Sequence, residues 1–289
     1  MKSQPRMEQE VQRWYERRGA SSARKKNSLK PLVCFEDEHI AVISKPSGLL
    51  TLPDRFHSTL PNVRDMLAQR YGEIFIVHRI DRDTSGIMLV CKTADAHRIM
   101  SEQFEARSVR KVYHALVRGR MEDDEMHIDI PLMPDPKRPG LMIPSVRGKE
   151  SLTRVRVLRR FRFATLLECE LITGRQHQIR AHCSAVGYPL LVDKEYGGAE
   201  AFFLSSIKRG YHQPQDTGEK PIISRTSLHS FSIEFHHPHT QAVMYFDASY
   251  PKDFKAVLQT LDKYAPYREF GAVHGIGIRA IRGDATHIE

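Results

Sequence analysis

The chain has 289 residues, 40% hydrophobic and 27% charged, with 44 Lys and Arg against 35 Asp and Glu for a formal net charge of +9. That length allows one large or two small domains with a sizeable core, and no apolar run approaches the ~20 residues a membrane-spanning helix needs. The positive balance fits a nucleic-acid partner. The cysteines Cys34, Cys91, Cys169 and Cys183 are widely separated with no Cys-x-x-Cys pair, which argues against a zinc or dithiol redox site and for reduced packing residues.

Residues 1–29 form a basic arm with Arg13, Arg17, Arg18, Arg24, Lys25 and Lys26, in which Gly19 to Ser22 break any helix. A phosphate-touching arm and a solvated tail fit it equally. The arm has no apolar core of a secretory signal, so cytoplasm is the expected compartment. From Pro31 the pattern becomes strand-like: Leu32 to Phe35, a Glu36-Asp37-Glu38 turn and Ile40 to Ile43 predict a hairpin, followed by a Lys45-Pro46-Ser47-Gly48 turn. The run from Val77 to Val90 places Asp81 on a tight polar loop before a buried strand over Ile87 to Cys91, with Thr84, Ser85 and Gly86 as turn formers. Thr93 predicts the N-cap of a helix over Ala94 to Ala106. Strands are expected over Val112 to Val117, Thr153 to Val157 and Phe163 to Ile172.

After Thr173-Gly174-Arg175 a helix is predicted over Gln176 to Val186, stopped by Gly187. Residues 198–226 read as a polar insertion with Lys208, Arg209, Lys220 and Arg225. Phe231, Ile233 and Phe235 mark a further strand, paired with Val243 to Phe246, and Lys252 to Tyr264 a final amphipathic helix. Residues 265–289 are a tail; Gly271, Gly275 and Gly277 lack the βαβ unit of a dinucleotide fingerprint. Strands dominate without a regular βα repeat, so the predicted class is α+β around a large mixed sheet.

Arg79 and Arg82 flank Asp81, and nearby positive charge suits a base or nucleophile rather than an acid; the plainer reading is a carboxylate that caps its loop beside Asp83. Tyr113 alternates in a strand, where an aromatic residue usually packs in a core, and Lys111 faces the same side, toward a carboxylate or a phosphate. A metal-dependent hydrolase is a rival, since His78, Asp81, Asp83, His177 and His182 are ligand types. Their spacing is scattered, arginines interleave with them, and His177 and His182, five apart on a helix, diverge.

Five blocks occur in order: Lys45-Pro46-Ser47-Gly48-Leu49, His78-Arg79-Ile80-Asp81-Arg82-Asp83-Thr84-Ser85-Gly86, Lys111 to Gly119 around Tyr113, Thr173-Gly174-Arg175-Gln176-His177-Gln178-Ile179-Arg180, and Leu228-His229-Ser230-Phe231 leading to His237-Pro238. Over roughly residues 30 to 250 the chain resembles the RluA-type RNA pseudouridine synthases, with Ile80 where the family signature has leucine. The resemblance implies a catalytic domain over 30–264, with a large, mixed, mainly antiparallel bent sheet and a central cleft flanked by helices and loops. About 30 preceding residues are too few for the S4 domain of many relatives. It implies isomerisation of uridine to pseudouridine in ribosomal or transfer RNA, with no cofactor or metal and with a monomer as the default state. Asp81 would be the indispensable carboxylate, whether it attacks C1′, adds to C6 or opens a glycal route. Tyr113 would stack on the uracil and accept or relay the C5 proton, and Arg175 would hold Asp81 bidentately. Leu228 would wall the pocket, and Arg79 would fill the gap left by a flipped base. Thr84, Arg82, Lys45 and Arg180 are further substrate contacts, the three basic residues toward phosphate. The alternative from another class is a non-catalytic RNA-binding or ribosome-assembly factor, which does not require Asp81.

Overall fold

The computed structural model describes residues 29–54, 57, 59–212 and 218–267. The readings of the basic arm up to residue 28 and of the tail glycines fall outside these residues. Leu32–Glu36 (β1) and Ile40–Lys45 (β2) pair as the expected hairpin, closed by Asp37, whose Oδ1 accepts from the His39 and Ile40 amides at 2.7 and 2.8 Å. The strands that follow are β3 (Ser85–Cys91), β4 (Arg110–Arg118), β5 (Glu125–Asp129), β6 (Leu132–Pro134), β7 (Met142–Pro144), β8 (Leu152–Arg160), β9 (Ala164–Leu171), β10 (Leu228–His236) and β11 (Val243–Asp247). Nine of them form one sheet in the order β1-β2-β3-β10-β4-β9-β8-β5, with β11 also on β10, while β6 and β7 pair separately. All pairings are antiparallel except β3 with β10, and the class is the expected α+β with a large mixed sheet.

The helices are α1 (Val63–Tyr71), α2 (Ala94–Glu105), α3 (Gln178–Ala185) and α4 (Lys252–Tyr264). Thr93 caps α2 as expected, its Oγ1 accepting from the Ala96 amide at 3.2 Å. α1 and the short strands β5, β6 and β7 were not legible in the sequence. In α1 only Val63 and Leu67 are buried, so its apolar stripe is weak, and β6 and β7 span three residues each. α3 begins two residues later than expected because His177 takes the left-handed conformation (φ 52°). Residues 198–226 are also more than a polar insertion. Phe202 and Ile223 bridge to each other and, with Ile207, pack against Phe254, Val257 and Leu261 of α4.

The β3–β10 pairing is short, His229 opposite Ser85 and Ser230 opposite Gly86, and it lies directly behind the Asp81 loop. A Cβ on Gly86 would sit 2.0 Å from the Ser230 carbonyl oxygen, at a φ of +119° that side chains rarely adopt. Gly86→Ala is therefore expected to destabilise the fold by about 3 kcal/mol or more. A chemical-denaturation midpoint indistinguishable from wild type would contradict this close approach. Beside it, His229 spans the sheet: its Nδ1 meets Ser85 Oγ and its Nε2 the Ala248 carbonyl, each at 2.9 Å. Burial pushes the His229 pKa down to about 4, so the ring holds this register as a neutral group at pH 7.

Candidate active site

Three main-chain oxygens around Asp81 are claimed by the end of β2 and the turn after it. Thr51 Oγ1 donates to Ile80 O (2.9 Å), the Gly48 amide and Lys45 Nζ to Arg82 O (2.8 and 3.0 Å), and Ser47 Oγ to Asp83 O (2.9 Å), while the Thr84 amide returns to Asp81 O (3.1 Å). Lys45 was expected to touch phosphate, and the structure corrects this. Its ammonium is 1% exposed and also donates to Leu49 O and Pro46 O at 2.7 and 3.1 Å, so it has no free face for RNA. Burial pushes its pKa down to about 7, against the pull of Asp83 and Asp81. Arg225 of the insertion is likewise structural, bound through Nε and Nη2 to Asp253 at 2.7 and 2.9 Å.

With its backbone so held, the Asp81 carboxylate faces a cavity of about 480 Å³. The guanidinium brought to it is that of Arg180, whose Nη1 lies 3.6 Å from Oδ2, with His177 Nε2 3.9 Å from Oδ1. The assignment of this role to Arg175 is overturned: α3 starts with its first turn aimed at Asp81, while Arg175, in the preceding loop, points its Nε to Glu150 O at 3.1 Å. The loop is fixed by Gln178, whose Oε1 accepts from Thr173 Oγ1 and the Arg175 amide at 2.8 and 2.9 Å. Nor is Arg180 a phosphate contact. It is buried, with Nε and Nη2 on Asp193 (2.6 and 2.8 Å) and Nη2 on Glu195 (2.6 Å). Burial opposes its charge, but Asp193, Asp81 and Glu195 outweigh that and hold its pKa above the ordinary arginine value.

The structure brings Tyr113, Leu228, Thr84 and Arg79 into the lining of the same cavity, together with Arg175. Thr84 is buried, and its Oγ1 has no partner among the described residues. Arg79 is exposed at the mouth, whereas Arg82 lies outside the lining and contributes its carbonyl. Tyr113 sits opposite Ser230 on β10. Burial, opposed by a hydrogen bond with Ser230 and reinforced by Asp81, pushes its phenol up to about 12, so it is a neutral hydroxyl throughout the working range. His78 stacks on Phe104 (centroids 4.9 Å apart, 23°) and its Nε2 accepts from the Leu89 amide at 3.0 Å. Burial, with Lys111 adding to it, pushes that imidazole down to about 3, so it stays neutral.

Asp193, Glu195 and Tyr196 escaped the sequence reading, as did the place of His177 beside Asp81. Tyr196 Oη meets His177 Nδ1 at 3.0 Å and its ring lies 4.8 Å from the Arg180 guanidinium carbon. No local pattern marks Asp193, thirteen residues beyond the arginine it holds. His177 and His182 diverge: His182 turns inward, with Nδ1 toward Thr153 Oγ1 and Nε2 toward the Ile130 carbonyl, both at 2.9 Å. Among the described residues no group of three or more His, Cys, Asp or Glu is arranged to hold a metal ion.

The family described as RNA pseudouridylate synthase matches residues 39–185. The chain is 35% identical over 234 residues to the ribosomal large subunit pseudouridine synthase D of Nitrosomonas europaea, covering 79% of this chain and 64% of that protein, so it spans just under two thirds of that relative's length. It is 35% identical over 212 residues to the dual-specificity RNA pseudouridine synthase RluA of Vibrio vulnificus (71% and 78%), and 36% over 239 residues to the ribosomal large subunit pseudouridine synthase C of Escherichia coli (81% and 71%). Human RNA pseudouridylate synthase domain containing 1 shares the fold, with a TM-score of 0.59 at 22% identity over 82% of this chain and 89% of that one. With matches that span the Asp81 loop and the start of α3, the chain belongs to the RNA pseudouridylate synthase family, in its RluA-type branch.

Proposed function

We propose that this protein isomerises specific uridines of ribosomal or transfer RNA to pseudouridine, with Asp81 as the reacting carboxylate. The observation that carries the reading is an arginine-paired carboxylate at the base of a cavity of nucleotide size, between Tyr113 and Leu228, in a chain of this family. The reaction detaches uracil N1 from C1′, turns the base and rejoins it through C5. No redox change occurs: the proton that leaves C5 is balanced by one gained at the freed N1. Asp81 attacks C1′, adds to C6 or removes a ribose proton; each route needs an anionic oxygen beside the sugar, which Arg180 orients without sharing in the chemistry. Leu228 and the Tyr113 ring hold the uracil, and Arg79 stacks where the flipped base had been. Arg175 follows the cavity wall toward the RNA.

Ribosomal RNA is favoured by two of the relatives, which are ribosomal large subunit pseudouridine synthases, while the dual-specificity relative leaves room for a second class of RNA. The net charge of +9 supports a polyanionic partner. Unpaired cations also occupy the β6–β7 region that borders α3, where Lys137, Arg147 and Lys149 make no ion pair among the described residues. No described helix is long and apolar enough to cross a membrane; on this reading the chain acts as a monomer in the cytoplasm.

Because the Tyr113 phenol is raised to about 12, it relays the C5 proton, taking it at a lone pair as its own O–H proton passes on, and does not act as a phenolate. Tyr113→Phe is expected to slow turnover by roughly 10²- to 10⁴-fold without moving the limbs of the pH–rate profile below pH 10. A basic limb that disappears in the phenylalanine variant would show that the phenol ionises after all. The functional reading itself is tested by mapping pseudouridine in total RNA from cells with and without the gene, then complementing with wild type and Asp81→Asn. Sites that vanish and return only with wild type support it. If purified protein forms no pseudouridine on that RNA, the RNA-binding factor replaces it.

A further inference from the structure

The cavity has a second charged pole that the reaction leaves unused. Lys111 lies on β4, two residues before Tyr113, and its ammonium projects into the same cavity, 5.5 Å from the Phe104 ring centroid. It is only half-exposed and makes no ion pair among the described residues. Burial lowers its pKa, and Arg107 lowers it further. Arg107 itself is committed to Glu150, with Nη1 and Nη2 at 3.2 and 3.1 Å from its two oxygens. The charge of Asp81 is felt by Lys45, Tyr113, His177 and Arg180, whereas the group that Lys111 perturbs is His78, at the Phe104 end. Asp81 with Arg180 thus makes one pole and Lys111 with Arg107 the other. Gly174, opposite, leaves the space open: a Cβ there would come 3.9 Å from Lys111 Nζ.

An ammonium drawn half out of water without a counter-ion is costly, and its free donors fit an anion that arrives with the substrate. A uridine nucleotide has that polarity, with its glycosidic carbon a few ångströms from a phosphate. We propose that Lys111 binds a backbone phosphate of the flipped uridine nucleotide, so that ribose C1′ is held at Asp81 from the opposite end of the cavity. This rests on the functional reading above. The ammonium is a substrate-binding group present in ground and transition states alike, and it takes no part in bond making.

The test uses full-length protein and a transcript carrying the mapped uridine. Lys111→Met keeps the apolar stem and removes the charge; it is expected to raise KM roughly 10- to 100-fold with kcat little changed, and Lys111→Arg to restore most of the affinity. Transcripts with a single uncharged methylphosphonate on the 5′ or the 3′ side of that uridine then identify the phosphate. One of the two should penalise wild type by a similar factor and Lys111→Met not at all. If both linkages penalise Lys111→Met as much as wild type, or if its KM is unchanged while wild type turns over normally, this site is overturned alone. A kcat loss at unchanged KM would instead make Lys111 part of the chemistry and overturn it too. A wild type that forms no pseudouridine overturns the functional reading and this inference with it.

Discussion

Asp81→Asn should reduce pseudouridine formation by on the order of 10⁴-fold or more while RNA affinity stays near that of wild type. The substitution changes one atom and the charge. The loop that carries residue 81 is held by main-chain oxygens, Ile80 O on Thr51, Arg82 O on Gly48 and Lys45, and Asp83 O on Ser47, and none of these contacts uses the Asp81 side chain. Arg180 would lose a partner at 3.6 Å but keep Asp193 and Glu195, so the fold around the site should persist. What disappears is the anionic oxygen that every route to the broken glycosidic bond requires. The checks are single-turnover isomerisation and equilibrium binding of the same RNA. Turnover within tenfold of wild type would remove Asp81 from the reaction. A parallel collapse of binding would make it a structural carboxylate.

Arg180→Met is expected to damage stability as well as rate. The guanidinium neutralises Asp193, whose side chain is 1% exposed, and it also reaches Glu195 and Asp81. Removing the cation leaves the Asp193 carboxylate buried and unpaired, an imbalance that costs about 3–5 kcal/mol. In a domain of this size that corresponds to a fall in Tm of roughly 5–10 °C. Arg180→Lys keeps the charge but not the planar two-pronged contact, so it should fall between the two. Arg175→Ala should leave Tm close to wild type, because among the described residues that side chain hydrogen-bonds the Glu150 carbonyl alone. Thermal melts of the three variants, with isomerisation assayed below their transitions, separate the roles. If Arg175→Ala loses as much stability as Arg180→Met, the assignment of the Asp81 partner is wrong.

Much of the architecture was legible because local chemistry and tertiary structure agree. β1 and β2 alternate around an Asp37 turn, Thr93 caps α2, and α4 spans Lys252–Tyr264 with Phe254, Val257 and Leu261 on its buried face. The Asp81 loop was also readable, since its turn formers precede an all-buried strand. Gly86 belongs to that loop for a reason that no local pattern contains: β10, more than 140 residues later in the chain, presses its backbone against it.

What the sequence determined by itself was the α+β class, the basic balance and the family, and it singled out Asp81 as the carboxylate to test; what only the tertiary structure decided was which cations lie against that residue. Arg175, Arg180 and Lys45 are all basic residues within motif blocks, and composition cannot distinguish a cation that meets RNA from one that is consumed inside the fold. Three-dimensional partners make the difference. Lys45 is spent on the carbonyls of Leu49, Arg82 and Pro46, Arg180 on Asp193 and Glu195, while Lys111 enters the cavity with no ion pair among the described residues. Desolvation sets the physical rule: a buried charge needs a counter-charge or enough hydrogen-bond acceptors within reach, and those partners are fixed by folding, not by distance along the chain.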